Sequence, residues 1–218
     1  DGTGLSDQRA LARTAARLKH PGILQVFDAG VEGGCHYLVT ECPTGDSLAQ
    51  LLRSGSLPPA QALRIVHPVA AALEFAWTRA SLVHGCLAPD LIFLEEGMVK
   101  IAGLGLLGLY AAEYVEMYGE APNPYAPPES MVDAKATMKG DIHTLGLILG
   151  QMLTGKLLSA NALAGEAPPE VPAATWETIR KMTARDPAER PAKWTDVLRD
   201  IARLLADKPA RGGRKLGV

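Results

Sequence analysis

The chain has 218 residues, of which 47% are hydrophobic and 21% are charged, and its formal net charge is −2. A chain of this length and composition can bury the core of a single domain. The nearly balanced charge lacks the basic signature of proteins that bind nucleic acid, so we expect no nucleic-acid partner.

The three cysteines, Cys35, Cys42 and Cys86, are an odd number without paired spacing, which is typical of free thiols in a reducing compartment. Cys35, His36 and Cys42 also lack the compact spacing of a metal site, so we expect no bound metal. No stretch approaches the roughly 20 consecutive apolar residues of a membrane span. These features favour a cytoplasmic chain without direct membrane contact.

The first elements of the chain are predicted to be one helix and a hairpin. Residues 8–19 carry apolar side chains at helical spacing, and His20, Pro21 and Gly22 end the helix. Two runs rich in β-branched and aromatic residues, 23–29 and 35–41, flank a glycine-containing turn, which is typical of a β-hairpin.

The rest of the chain is predicted to be mainly helical. A helix from 58 to 80 has two prolines near its first turn, where proline is tolerated. The nearly continuous apolar run 137–154 predicts a helix that is buried all round. The other predicted elements are a short helical segment at 46–53, a small hairpin formed by 91–94 and 98–102, and amphipathic helices at 175–185 and 193–206.

Six short motifs occur along the chain in a fixed order. They are LKHPGI at 18–23, YLVTEC at 37–42, KIAGLGL at 100–106, YAPPE at 125–129, DIHTLG at 141–146 and RDPAERP at 185–191. Their order and spacing resemble those of the protein kinase superfamily, and the bacterial serine/threonine group is the most similar. The resemblance covers roughly residues 8–206.

The resemblance implies an α+β, protein-kinase-like fold. Residues 1–44 are expected to form a partial upper lobe of one helix and a hairpin, and residues 45–206 a mostly helical lower lobe. Residues 207–218 are expected to form a basic linker or tail. In similar bacterial proteins such a linker leads to a membrane span, so the chain is also compatible with the cytoplasmic part of a membrane-anchored protein.

The loop HGCLAPDLIFL resembles the catalytic loop of a kinase without its catalytic side chains. Cys86 stands where the family has its catalytic Asp, Ala88 where it has a Lys, and Leu91 where it has a metal-binding Asn. Gly103 replaces the second metal-binding Asp, and Leu11 replaces the helix Glu that pairs with a strand Lys. Because phosphoryl transfer depends on positioning and charge stabilisation, we expect a pseudokinase that is not an enzyme.

Two catalytic alternatives remain open. Asp90, Glu95 or Glu96 could supply the missing carboxylates, which would make the chain an atypical or weakly active ATP-dependent serine/threonine kinase. Cys86 and His84 could form a nucleophilic pair. However, residues i and i+2 of an extended loop point in opposite directions, so we expect Cys86 to be a small apolar filler.

The expected nucleotide site is vestigial. The hinge corresponds to Glu41, Cys42 and Pro43, and Pro43 has no N–H to donate. Phe93 takes the place of the aliphatic residue that usually lies beneath the adenine, and its ring is expected to fill the slot. We therefore expect no cofactor, with ATP and magnesium belonging only to the weakly active alternative.

The residues that support the lower lobe in kinases are retained. The resemblance implies that Asp141 accepts hydrogen bonds from the catalytic loop and that Glu129 pairs with Arg190. It also implies that His84 and Leu104 belong to an interior stack between the lobes. A fold that keeps its supports but not its reactive groups favours a scaffold or allosteric signalling module with an unknown protein partner. A degraded domain without a binding role is a third alternative.

The segment between Leu104 and Glu129 contains no Ser or Thr, so activation by phosphorylation of the usual kind is not expected. Tyr110, Tyr114 and Tyr118 recur every four residues in an apolar run, which predicts a helix with the tyrosines on one face. This face either packs against its own lobe or contacts a protein partner. Nothing in the sequence sets the oligomeric state.

Overall fold

The computed structural model describes residues 14–32, 35–104, 123–131 and 135–207. Residues 14–17 are helical and lead into the loop at 18–25. Strands β1 (Val26–Glu32) and β2 (Cys35–Thr40) then pair antiparallel, with an irregularity between Val26 and Asp28. The predicted first hairpin is thereby confirmed, although β1 extends to Glu32 instead of ending at residue 29.

A second sheet has three short strands in the order β3-β4-β5, which are Asp46–Ser47, Ile92–Glu95 and Met98–Ile101. The strands β4 and β5 form the second predicted hairpin. The segment expected to be a short helix at 46–53 differs, because its first two residues pair with β4 and helix α1 covers only Leu48–Leu52. Ser47 causes this boundary, since its side chain caps α1 in a capping box with Gln50.

The larger helices lie close to their predicted positions. They are α2 (Pro59–Ala80), α3 (Met138–Thr154), α5 (Ala173–Met182) and α6 (Trp194–Ala206). The five-residue helix α4 (Ala160–Ala164) was not predicted, although the side chain of Ser159 caps it by accepting the N–H of Ala162. Five residues are too few to show a helical period.

Helix α2 ends in a turn that glycine usually makes. Ser81 has φ of 51°, and it is the only residue other than glycine with positive φ in the described part of the chain. The N–H of Ser81 donates to the carbonyl of Trp77 at 2.8 Å, and that of Leu82 donates to the carbonyl of Ala76 at 3.3 Å. These two bonds close the last turn of the helix.

The core lies around α3, which packs against α2 and α5, while α6 also packs against α2. Residues 140–150 of α3 are all buried, as predicted for a helix that is covered on every side. Gly146 allows close packing on α5, because a Cβ there would lie 2.8 Å from the Cβ of Met182. The predicted α+β class is confirmed.

The described helices include none with the length and hydrophobicity needed to cross a bilayer. The proposed division of the chain at residues 44 and 206 stays a prediction.

Candidate functional site around the loop at residues 84–91

Asp141 fixes the start of the loop at residues 84–91. It lies in the first turn of α3, where it is fully buried. Its carboxylate accepts the N–H of His84 at 2.7 Å and the N–H of Gly85 at 2.7 Å. Burial raises the pKa of Asp141 to about 6, although the two N–H donors act in the opposite direction. The loop is therefore tied to the core helix through its backbone, whatever side chains it carries.

His84 is fully buried and belongs to the structure beneath the loop. Its Nε2 donates to the carbonyl of Ala102 at 2.8 Å, which joins the loop to the end of β5. Burial lowers the pKa of His84 to about 4, so the imidazole is neutral at pH 7. Leu104, the other expected member of the interior stack, is 2% exposed and shares the core with Ala15 and Val26.

The expectation that Cys86 and His84 point in opposite directions is wrong. The Sγ of Cys86 lies 3.7 Å from Nδ1 of His84. Gly85 between them has φ of 75°, which turns the chain and brings both side chains to the same side. Burial, and to a lesser degree the charge of Asp141, raises the pKa of Cys86 to about 12. The thiol is therefore protonated at pH 7 and is not activated as a nucleophile.

Three other positions expected to have lost functional side chains, Ala88, Leu91 and Gly103, have no side-chain oxygen atom. Ala88 is buried, Leu91 is partly buried and Gly103 has φ of 80°. The carbonyl of Leu91 accepts the N–H of Ala102 at 2.8 Å, so this backbone group is also engaged. Among the described residues no group of three His, Cys, Asp or Glu could hold a metal ion. These positions do not fit a magnesium site built from oxygen ligands.

Three carboxylates near the loop, those of Asp90, Glu95 and Glu96, were candidates to replace the missing acidic side chains. Asp90 is exposed in the 3₁₀ turn at Pro89–Leu91, and Glu96 is exposed in the turn between β4 and β5. Glu95 is engaged by Lys100 at 3.2 Å and by the N–H of Thr44 at 3.1 Å. In the described structure Asp90 and Glu96 are therefore exposed to solvent, and both oxygens of Glu95 already have a donor.

Arg190 forms a second anchor, which lies among the helices. Its two terminal nitrogens donate to the carboxylate oxygens of Glu129 at 2.6 and 2.7 Å. The same guanidinium donates to the carbonyls of Ala184 at 2.8 Å, Lys139 at 3.0 Å and Arg185 at 3.3 Å. Burial alone would raise the pKa of Glu129, but the hydrogen bonds and charge of Arg190 outweigh it and lower the pKa. This pair ties the 3₁₀ turn at Pro128–Met131 to the helices below it.

His143 was missed by the sequence reasoning. It is 5% exposed, and its Nδ1 is the one buried side-chain nitrogen or oxygen atom without a hydrogen-bond partner in the described residues. Burial, together with the positive charge of Arg190, lowers the pKa of His143 to about 4. The negative charge of Glu129 raises it, but by less. The available signal was a histidine next to the apolar residues of a helix that is predicted to be buried.

The expected hinge residues follow β2. The carboxylate of Glu41 accepts a hydrogen bond from Lys100, and its second oxygen accepts the N–H of Gln25 at 3.3 Å. Lys100 is 9% exposed and is shared between Glu41 and Glu95. This network was not predicted from the sequence. The feature that could have indicated it is a lysine in a strand whose other residues are apolar.

The other expected nucleotide positions lie directly after β2 and in β4. Cys42 is exposed, and Pro43 has no N–H. The N–H of Thr44 is already bonded to Glu95. Phe93 is partly buried in β4, where it pairs with Ser47 and Lys100. The expectation that no ATP is bound stays a prediction.

Four residues singled out from the sequence lie outside the described residues. They are Leu11, Tyr110, Tyr114 and Tyr118. The predicted helix that carries the three tyrosines lies there too, so it also stays a prediction.

Comparison with known proteins gives a consistent result. The family model for the protein kinase domain matches residues 10–209. The chain is 28% identical over 212 residues to serine/threonine-protein kinase PrkC of Bacillus subtilis (strain 168), covering 88% of this chain and 33% of the relative. It is 31% identical over 205 residues to serine/threonine-protein kinase PknL of Mycobacterium tuberculosis (strain ATCC 25618 / H37Rv), covering 84% of this chain and 50% of the relative. The chain thus spans a third to a half of the length of these relatives.

The fold matches solved kinase structures. A double mutant of the Mycobacterium tuberculosis PknI kinase domain superposes with a TM-score of 0.76 at 22% identity, covering 93% of this chain and 79% of the other. At this level of identity the similarity shows the fold alone, and it confirms the expected kinase-like fold.

One expectation is overturned by these comparisons, namely that the chain is not an enzyme. The family match and the relatives named as kinases, at 28–31% identity, point to a kinase. The physical reason is that side chains at a few loop positions do not by themselves decide activity, since groups from neighbouring elements can supply a charge or accept a proton. With motifs, fold and family match in agreement over nearly its whole length, the chain belongs to the protein kinase domain family.

Proposed function

We propose that this kinase-family domain acts in signalling as a scaffold or allosteric module for a protein partner. The observation that carries the proposal is the fixation of the loop at 84–91 by Asp141, whose carboxylate holds two backbone N–H groups at 2.7 Å each. Bonds to the backbone preserve the shape of a surface without depending on the loop side chains.

The contacts around Arg190 support the same reading. The guanidinium joins the turn at Pro128–Met131 to the start of α3 and to the loop at 184–190. The surface of the lower lobe is therefore supported at two separate places by buried charged groups. A binding surface needs a fixed shape above all, because ordering flexible groups on association opposes binding.

We further propose that Tyr114 and Tyr118, with Tyr110, contribute to the partner-binding face, as their four-residue spacing suggests. Tyrosine is enriched in protein interfaces because its ring buries a large area at a small cost in conformational entropy. A net charge of −2 gives no reason to expect a nucleic-acid partner.

An ATP-dependent serine/threonine protein kinase is the second candidate, and the names of the relatives favour it. This candidate requires ATP and magnesium. The described residues at 91 and 103 do not fit magnesium, and the hinge offers no free N–H at residues 43 and 44. We therefore derive no catalytic step through these cofactors.

A paired measurement separates the two candidates. Purified chain is incubated with γ-labelled ATP and Mg²⁺ or Mn²⁺, with a general protein substrate, and its melting temperature is measured against ATP concentration. Transfer of label together with saturable stabilisation would support the kinase. Neither effect at millimolar ATP would remove the second candidate and leave the scaffold as the better supported function.

The scaffold itself is tested by cross-linking and mass spectrometry with the chain as bait. We expect a reproducible partner whose yield falls at least about fivefold in a Tyr114→Ala, Tyr118→Ala double variant. Tyr37→Ala is the matched control, because Tyr37 is an exposed tyrosine on the first hairpin. Equal loss in the control, or no partner with either variant or the unaltered chain, would contradict the proposal.

A further inference from the structure

A cavity of about 330 Å³ lies between the loop at 18–25, the hinge residue Glu41 and the β4–β5 hairpin. No residue of the loop at 84–91 lines it. Its apolar surface comes from Pro21, Ile23 and Met98. Met98 is 45% exposed, so its side chain is accessible to a ligand. The charged groups at the cavity are those of Lys19, Glu41 and Lys100.

The carboxylates next to this cavity are already engaged. One oxygen of Glu41 accepts from Lys100 and the other from the N–H of Gln25. Glu95 is the second carboxylate that contacts Lys100. One of its oxygens accepts the N–H of Thr44, and the other pairs with the ammonium of Lys100. Each of the four oxygens therefore has a donor.

The ammonium groups keep unused donors. An ammonium has three N–H groups, and Lys100 directs two of them to Glu41 and Glu95. Lys19 is exposed and pairs with no carboxylate among the described residues. The charges of Lys19 and Lys100 balance those of Glu41 and Glu95, but in the part of the chain that the structure describes only the ammonium groups keep N–H donors without an acceptor. Beside an apolar wall, such donors are complementary to a carboxylate attached to a hydrocarbon group.

We propose that this cavity binds a small hydrophobic carboxylic acid, with its carboxylate between Lys19 and Lys100 and its hydrocarbon part on Ile23 and Met98. The site goes beyond the proposed function and does not depend on it, because no residue of the loop at 84–91 lines the cavity. Occupation would add a third anion around Lys100 and so act on the contact between the hinge and β5.

The test uses three ligands of the same shape: 1-naphthoate, the neutral 1-naphthamide and the cationic 1-naphthylmethylammonium. Binding to the full chain is followed by NMR of ¹³C-labelled methionine and isoleucine methyl groups and by calorimetry. We expect naphthoate to bind with a Kd of about 1 mM or tighter, as its size allows. It should shift the methyl signals of Met98 and Ile23, with the amide and the amine binding at least about tenfold more weakly.

Two lysine variants locate the carboxylate. Lys19→Gln should weaken naphthoate binding about fivefold or more, whereas Lys156→Gln, an exposed lysine outside the cavity, should leave it unchanged. Both variants keep the internal ion pairs of Lys100, so they are expected to fold normally. Equal binding of acid and amine, unmoved Met98 and Ile23 signals, or the same effect in both variants would overturn the proposal.

Discussion

His84 and His143 are both buried and neutral, but they differ in their hydrogen bonds. His84 donates to the carbonyl of Ala102 at 2.8 Å, while Nδ1 of His143 has no partner among the described residues. A buried polar atom without a partner costs about 1–3 kcal/mol, and a satisfied one does not. The same residue type is therefore expected to have opposite effects on stability at these two positions.

Replacement by leucine tests this difference. His84→Leu should lower the free energy of unfolding by about 1–3 kcal/mol because the carbonyl of Ala102 loses its donor. His143→Leu removes the unpartnered nitrogen, so at pH 7 the stability should stay within about 1 kcal/mol or rise. Urea denaturation at pH 7 measures both changes, and a larger loss in His143→Leu than in His84→Leu would contradict the assignment.

The two histidines also set a pH dependence. Both have a pKa of about 4 in the folded chain, against 6.5 as the ordinary value. Between pH 6.5 and 4 the unfolded chain binds more protons, so stability falls as the pH falls through this window. Asp141 has the opposite effect on stability. Because its pKa is raised on folding, the folded chain binds more protons, and stability rises as the pH falls from about 6 to 3.8.

The slope of stability against pH should therefore be smaller in His143→Leu than in the unaltered chain between pH 6.5 and 4. Unfolding free energies at half-unit intervals of pH measure the slope. An unchanged slope would mean that folding does not lower the pKa of His143.

Asp141→Asn should destabilise the chain by about 1–3 kcal/mol, since one of the two N–H groups at His84 and Gly85 would face an amide NH₂ instead of an oxygen. The matched control is Asp90→Asn, an exposed residue of the same loop, which should change stability by less than about 0.5 kcal/mol. Denaturation of both variants at pH 7 checks this prediction. Equal effects would show that Asp141 does not hold the loop.

At the scale of elements, the long helices were predictable because their apolar residues recur over three or more turns. The run at 137–154 predicted α3 nearly to the residue, and α2 was predicted one residue too early. The misses are short elements, namely β3 and α4, whose two and five residues carry no period. Their positions depend on tertiary pairing and capping, which the hydrophobic pattern does not encode.

Two glycines of α3 give a test of packing between elements. A Cβ at Gly146 would lie 2.8 Å from the Cβ of Met182 and from a methyl group of Thr183, close to the backbone of α5. A Cβ at Gly150 would meet the terminal methyl of Leu158, which can rotate away. The same substitution thus meets a rigid neighbour at one position and a flexible neighbour at the other.

Gly146→Ala should lower stability by about 1–2 kcal/mol, because overpacking against α5 exceeds the gain in helix propensity. Gly150→Ala should be neutral or stabilising by up to about 1 kcal/mol. Thermal and urea denaturation measure both. A stabilising Gly146→Ala would show that α3 and α5 can move apart at little cost.

At the scale of the molecule, Arg190 joins parts of the chain that are distant in sequence. Glu129 and Lys139 lie 61 and 51 residues before it, and the guanidinium also binds the nearby carbonyls of Ala184 and Arg185. The motifs containing Glu129 and Arg190 were visible in the sequence, but the bonds of the guanidinium to three carbonyls were not. Likewise, the network of Lys100 joins the hinge to β5 and could not be predicted, because it depends on how two hairpins meet.

The Glu129–Arg190 pair should govern stability in acid. The pKa of Glu129 is lowered from 4.5 on folding, so its contribution is present above pH 4.5 and is lost as the pH falls through the lower folded value. Glu129→Gln should cost about 3 kcal/mol at pH 7, since the buried Arg190 loses its counter-ion. The difference between variant and unaltered chain should shrink below pH 4.5. A difference that is constant from pH 7 to 3.5 would contradict this.

The serine that ends α2 has a practical consequence for experiments of this kind. Ser81 is exposed and adopts a left-handed conformation that costs an L-residue roughly 1–2 kcal/mol and glycine far less. A Ser81→Gly background would therefore raise the stability of the whole chain without touching the core or the loop. Substitutions that would otherwise leave too little folded protein, such as those at Asp141 or Glu129, could then be compared under one set of conditions.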